Sequence, residues 1–274
     1  MAGDERREPR GEAMSWDRLL VTALDLLNRR GPALGIRLAR LTGKSRHLVH
    51  PKHLVEVLGH HWYLEHVEPS DVVLDVGCAH GAHALAAAGR VKQVVGVDYD
   101  VIHLRTANAR ARALGIDNVR MIALDITRPF PFPDSSFDAG LFLDVIEHLE
   151  PRQQVLAEIA RVLKPGARLL VSAPNRDTSW RRRLRAAGLF ALSDPDHKIE
   201  YTRDELLAEL ARGGFVTDGP VLPVVYDTPW AGAIDVVGGV SLGLYARLAR
   251  WKHEAALRHP EESIGFRVVA RRCA

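Results

Sequence analysis

The chain has 274 residues, 47% of them hydrophobic and 26% charged, with a formal net charge of +3. That length and apolar share suit one large soluble domain with appendages, and so mild a basic excess does not by itself call for a nucleic-acid partner. The two cysteines, Cys78 and Cys273, lie far apart, which argues against a disulfide framework and for a reducing, cytoplasmic setting, and no apolar run reaches the roughly 20 residues of a membrane span.

Residues 1–14 are charged, lack the apolar stretch of a signal peptide, and read as a disordered tail. Ser15 is placed to cap a helix with Leu19, Leu20, Ala23, Leu24 and Leu27 at helical spacing. Gly31-Pro32 is expected to end it, and a second short helix follows to Leu41. Thr42-Gly43-Lys44-Ser45 looks like the tail of a phosphate loop but has Leu38 where that motif needs glycine. His47, His50, His53, His60, His61 and His66 come next. Pro51 argues against one helix presenting the first three together, so capping or pocket-lining histidines are favoured over a metal site. Trp62-Tyr63 suits a pocket wall or a core contact. Residues 15–66 therefore read as an N-terminal helical cap.

From Val72 the pattern changes. Val72–Val76 is a β-branched run leading through Gly77 and Gly81 into an Ala-rich helix. Strands follow at 93–97, 119–124, 137–143 and 168–172, with helices at 101–114 and 151–163. Thr202 to Glu205 is a capping box opening a helix to about 211. Strands near 215–225 and 265–270 close the pattern. Strands alternating with helices of this length predict an α/β fold: a doubly wound, mainly parallel sheet. Residues 67–228 form the core, 229–260 a helical insertion or lid, and 261–274 the closing strand.

Asp75, Asp98 and Asp125 each follow a successive strand, so they converge on the crevice at one sheet edge. Asp98 comes 23 residues after Asp75, the spacing of an acid that binds ribose hydroxyls. The turn reads Asp75-x-Gly77-x-x-x-Gly81, not G-x-G-x-x-G. An acid ahead of the first glycine repels pyrophosphate and welcomes a cationic group, which favours S-adenosylmethionine over a dinucleotide.

These stretches, with Phe130–Asp138, Asp144-Val145-Ile146-Glu147-His148-Leu149 and Val162-Leu163-Lys164-Pro165-Gly166, resemble the class I S-adenosylmethionine-dependent methyltransferases, in particular the small-molecule, lipid and glycan branch. The resemblance implies a Rossmann-like, seven-stranded sheet with its last strand antiparallel. It implies that Asp75, Gly77, Cys78, Ala79 and Gly81 surround the methionine part of the cofactor and that Asp98 holds the ribose. Tyr99 would pack on adenine, Asp125 and Ile126 would meet its amino edge, and Leu143 would lie near the sulfonium. The departure is Ala79-His80; alanine fits the turn if it keeps φ below zero.

An acceptor hydroxyl needs a base, for which Asp144, Glu147 and His148 are the candidates, with His80 and His197 behind them. The loop 194–201 either faces the acceptor or is a solvated connector. Arg181-Arg182-Arg183-Leu184-Arg185 is a solvated face or a phosphate contact. The resulting expectation is an O-methyltransferase acting on a small-molecule, glycan or lipid-linked acceptor, with no metal, at most peripheral membrane contact, and a possible homodimer. A non-catalytic S-adenosylmethionine-binding regulatory module and a nicotinamide-dependent oxidoreductase are the alternatives.

Overall fold

The computed structural model describes residues 16–55 and 61–273. The tail 1–14, the Ser15 cap, His60 and the side chain of His53 lie outside the described residues. In chain order the elements are α1 (Trp16–Leu41), β1 (Val72–Val76), α2 (Ala82–Ala88), β2 (Gln93–Asp98), α3 (Val101–Leu114), β3 (Val119–Ala123) and β4 (Phe137–Leu143). Then come α4 (Arg152–Val162), β5 (Leu163–Pro174), α5 (Ser179–Ala186), α6 (Arg203–Arg212), β6 (Phe215–Thr217), β7 (Leu222–Pro223), α7 (Ala231–Val240), α8 (Leu242–Arg258) and β8 (Gly265–Arg272).

The strands order as β3-β2-β1-β4-β5-β8-β6, with the two-residue β7 beside β8. β1 to β5 pair in parallel; β8 runs antiparallel to β5, β6 and β7. The chain leaves β1 on one side and returns through β4 on the other, so the topological switch point falls between them. Alternate residues of the central strands enter two separate cores. Leu74, Val76 and Phe142 pack on one face of the sheet; Val73, Ala139, Leu141 and Leu143 pack on the other. This is the double-sided burial that the unbroken apolar runs predict.

Two local expectations change. The fifth strand is longer than 168–172. It begins at Leu163, which pairs with Phe137, and the ladder resumes at Arg168 opposite Ala139, so Lys164-Pro165-Gly166 forms an exposed bulge and not merely a helix stop. At the N-terminus there is one helix, not two: α1 runs straight through Gly31-Pro32. Its buried residues are Val21, Gly31, Gly35 and Ala39, whereas Leu19 and Leu20, placed on the apolar stripe by their spacing, are exposed. The small-residue face is the packing face. A Cβ on Gly31 would run into the Gly232 backbone, and one on Gly232 into the Leu27 carbonyl, so α1 and α7 touch main chain to main chain. The Asn28 side chain accepts a 2.8 Å hydrogen bond from Gly232 N–H, and Thr42 donates to Gly239 O at 2.8 Å. Tertiary packing at this seam overrides the proline. The segment 229–260 is the α7–α8 hairpin, and most of its glycines are contact points and not weak links. Among the described residues no helix is long and apolar enough to cross a membrane.

Candidate active site

At the switch point, β1 delivers a tight loop. Gly77 has φ +76°, and a Cβ there would sit 2.6 Å from Val145 Cγ2, so only glycine lets the turn pass beneath the chain leaving β4. Gly77 and Cys78 N–H both bond Val97 O, tying the turn to β2. Ala79 takes φ +43°, which overturns the expectation of a negative φ. A left-handed alanine costs about 1–2 kcal/mol, and glycine's extra chain entropy costs about 0.5–1 kcal/mol, so Ala79→Gly should raise the unfolding free energy by roughly 0.5–1 kcal/mol in a urea titration. His80 is exposed and stacks on His103, ring centroids 3.9 Å apart, away from any helix-capping role.

The three strand acids have three different environments. Asp75 is not at the ligand edge: it lies inside β1, 2% exposed, paired in register with Gly96 and Leu141. Ala84 N–H donates to its carboxylate, so this buried acid caps α2, whose own N-cap, Gly81, has no side chain. Its Oδ2 has no hydrogen-bond partner. Burial, opposed by the Ala84 bond and reinforced by the Asp98 charge, raises its pKa to about 7. The native state therefore keeps a proton that the unfolded chain releases. The stability conferred by that proton is full below the ordinary carboxylate range, declines as pH rises from there, and is gone above about 7. Asp75→Asn, which mimics the protonated form, should flatten this slope and stabilise the fold at pH about 8 by a few kcal/mol. Denaturant titrations at pH about 5 and 8 with an unchanged slope would contradict it.

Asp98 is buried at the end of β2, and its two oxygens accept N–H bonds from Asp100 and Ala79, each at 2.9 Å. Beside it Tyr99 stands 79% exposed, an aromatic face with nothing packed on it in proportion to its size. Asp125 lies two residues beyond β3, exposed. The Thr127 hydroxyl and N–H and the Arg128 guanidinium hold its carboxyl below the usual range, so it closes its own turn. Ile126 is half-buried next to it.

A cavity of about 810 Å³ opens at the carboxyl ends of β4 and β5, roofed by α1, α5, α7 and α8. Leu143, Asp144, Glu147 and His148 line it, whereas Asp98, Tyr99, Asp125 and Ile126 do not. The expected catalytic residues thus share one chamber, and Val145, two residues past Leu143, packs against Gly77 of the glycine turn. Trp62 lines the chamber, while Tyr63 is fully buried with its hydroxyl 3.0 Å from His83 Nδ1, so the aromatic pair divides between pocket and core. Trp180, Leu184, Phe190 and Leu192 add apolar wall.

Asp144 has φ +54° and sits on the cavity floor. Desolvation raises its pKa, opposed by a Ser172 hydrogen bond and by Arg267, His197 and His148. Glu147 is 2% exposed, and desolvation with the Asp144 charge lifts its pKa to about 8. Sequence reasoning left three features out of the site proper. First, the loop 194–201 faces the chamber: His197 lines it, stacked edge-on against His148 with centroids 4.6 Å apart, and its Nδ1 lies 2.9 Å from the buried Glu200. Only the polar run Asp194–Tyr201 signalled it. Second, Arg267 from β8 and Lys252 from α8 line the chamber, their charged forms disfavoured by desolvation. Third, the arginine run splits. Arg181 turns inward beside Asp227, 3.5 Å away, whereas Arg182 and Arg185 pair with Asp177 on the surface. Of the histidines before β1, His50 caps Lys52 N–H and lies 3.4 Å from Asp235, and His66 edges Trp62.

Residues 74–171 match the family model of a methyltransferase domain. A probable S-adenosylmethionine-dependent methyltransferase of Mycolicibacterium smegmatis is 34% identical over 176 residues, covering 58% of this chain and 66% of that protein. A fatty-acid O-methyltransferase of the same organism is 37% identical over 137 residues, 48% of each chain. The chain thus spans between about half and two thirds of the length of these curated relatives. Among solved structures, the [4+2]-cyclase SpnF superposes with a TM-score of 0.55 over 97% of this chain and 85% of that one, at 19% identity, a likeness of fold alone.

Proposed function

We propose, from the class I S-adenosylmethionine-dependent methyltransferase domain that this chain carries, that the protein methylates an oxygen of a small-molecule or lipid-type acceptor held in the 810 Å³ chamber. When bound, S-adenosylmethionine supplies the methyl group on a sulfonium. The residues fit it. The loop from Gly77 to Gly81, with Cys78 and Ala79, surrounds the methionine end, and Asp75, with its Oδ2 buried and unpartnered, supports the strand that leads into it. Asp98 keeps its two main-chain bonds and offers its remaining lone pairs to the ribose hydroxyls, and the bare ring of Tyr99 covers adenine. Asp125 and Ile126 border the adenine edge, through main chain in the case of Asp125, whose carboxylate is already engaged.

The observation that carries this reading is where the chamber starts. Its floor, Leu143 and Asp144, is the end of β4, and the next residue, Val145, touches the glycine turn. An acceptor oxygen on that floor stands beside the methyl donor, as an in-line displacement requires. Asp144, Glu147 and His148 surround that oxygen, and one of them takes its proton. The aromatic and aliphatic walls suit an apolar acceptor body, and Arg267 and Lys252 suit an anionic group on it. The fatty-acid O-methyltransferase relative supports the same class.

The test is incubation with isotope-labelled S-adenosylmethionine and a panel of long-chain fatty acids, phenols and quinols, followed by mass spectrometry. A one-methyl gain on oxygen is expected. Cofactor binding with no methylated product from the panel or from a cell extract would favour the non-catalytic module.

A further inference from the structure

We propose that Glu147, His148 and His197 hold a divalent first-row transition ion at the floor of the chamber. Three observations converge on it. One ligand atom from each of the three lies within 4.8 Å of the others, so small side-chain adjustments bring all three onto one ion. Glu147 is 2% exposed, and its Oε2 has no hydrogen-bond partner, a carboxyl oxygen buried without a donor. The third observation is the support behind His197. Its Nδ1 lies 2.9 Å from Glu200, a fully buried carboxylate that Ser193 also holds. Donation from Nδ1 leaves Nε2 to ligate, and a carboxylate behind a histidine is the arrangement that orients metal-bound imidazole.

The donor set names the ion class. Two imidazoles and one carboxylate favour zinc, manganese(II) or iron(II) over magnesium or calcium, which take oxygen ligands. Among the described residues three protein ligands are present, and His148 faces the open chamber, so coordination positions remain for an acceptor. Resting on the methyl-transfer reading, the ion's role is to bind the acceptor oxygen and stabilise it as an alkoxide or phenolate. The O–H proton then passes to Asp144, which is not among the three ligands. The new O–C bond forms as the S–C bond breaks, its electron pair staying on sulfur. Glu147, His148 and His197 act as ligands and not as the base.

The test needs no acceptor. The full chain, stripped with a chelator, is titrated with cobalt(II) and followed by its visible ligand-field absorption. One saturable site per chain is expected. Glu147→Gln, which keeps the side-chain shape, should lose it. Glu200→Gln should weaken it by about tenfold to a hundredfold. His47→Ala, exposed and remote from the cluster, should bind as the parent does. Circular dichroism confirms that each variant is folded. No saturable binding, or equal affinity in Glu147→Gln, overturns the ion. If methyl transfer persists unchanged under chelation while cobalt(II) fails to bind, the ion is wrong and the transferase reading stands. If cobalt(II) binds with this mutational pattern but no acceptor is methylated, the reverse holds.

Discussion

Asp98→Ala should weaken S-adenosylmethionine binding by about a hundredfold or more. Each oxygen of Asp98 accepts a main-chain N–H at 2.9 Å, one from Asp100 and one from Ala79. Removing the carboxylate has two effects in the same direction. The ribose loses its anionic acceptor, and the Ala79 amide, on a residue already at φ +43°, loses the bond that holds the turn against β2. A hydrogen bond to a charged group contributes about 1.5–3 kcal/mol, so two of them exceed the roughly 2.7 kcal/mol that corresponds to a hundredfold. Asp98→Asn retains one acceptor oxygen and should fall between. Isothermal titration of the folded variants measures both; affinity for the cofactor unchanged in Asp98→Ala would remove Asp98 from the ribose site.

The second large effect is far from the cofactor. Gly232→Val should cost about 3 kcal/mol or more, lowering the melting temperature by roughly 10 °C. A side chain at Gly232 meets the Leu27 carbonyl and the Asn28 backbone, which cannot swing aside as a flexible side chain would. The helices must separate, and the Asn28 bond to Gly232 N–H goes with them. Because Asn28 and Ala231 both line the chamber, the variant should also bind its acceptor more weakly while binding the cofactor normally. Gly243→Ala is the contrast: nothing lies within 4 Å of a Cβ there, so it should be neutral or slightly stabilising. Equal melting temperatures for the parent and Gly232→Val would refute the main-chain contact.

What could be read from the chain was local. A β-branched run, a glycine turn and an Ala-rich helix specify a buried strand feeding a helix whichever residues lie elsewhere, and β1–α2, β2–α3 and the α6 capping box formed where their residues placed them. The misses are contacts that no periodicity or motif marks. The sequence puts Asp75 at a strand end, but strand boundaries do not show how deeply a side chain lies; it is a buried cap for α2. Asp125 looked free because its partners, Thr127 and Arg128, are ordinary loop residues with no motif around them. Gly31-Pro32 carried a valid stop signal, outweighed by an α7 face some 200 residues away. The pairing of His197 with Glu200 needed the loop's curvature to be known before it had meaning.

The seam between α1 and α7 also imposes an order of assembly. α1 has as its partner a helix made about 200 residues later, after every parallel strand of the sheet. Until Gly232 arrives, the Gly31 and Gly35 face has nothing to dock against, and Pro32 weakens the helix in isolation. The parallel strands β1 to β5, all made before α7, can consolidate beforehand, whereas β8 and the chamber are completed last. Limited proteolysis of nascent or truncated chains ending before residue 229 should therefore spare the parallel strands β1 to β5 and cut within 16–41.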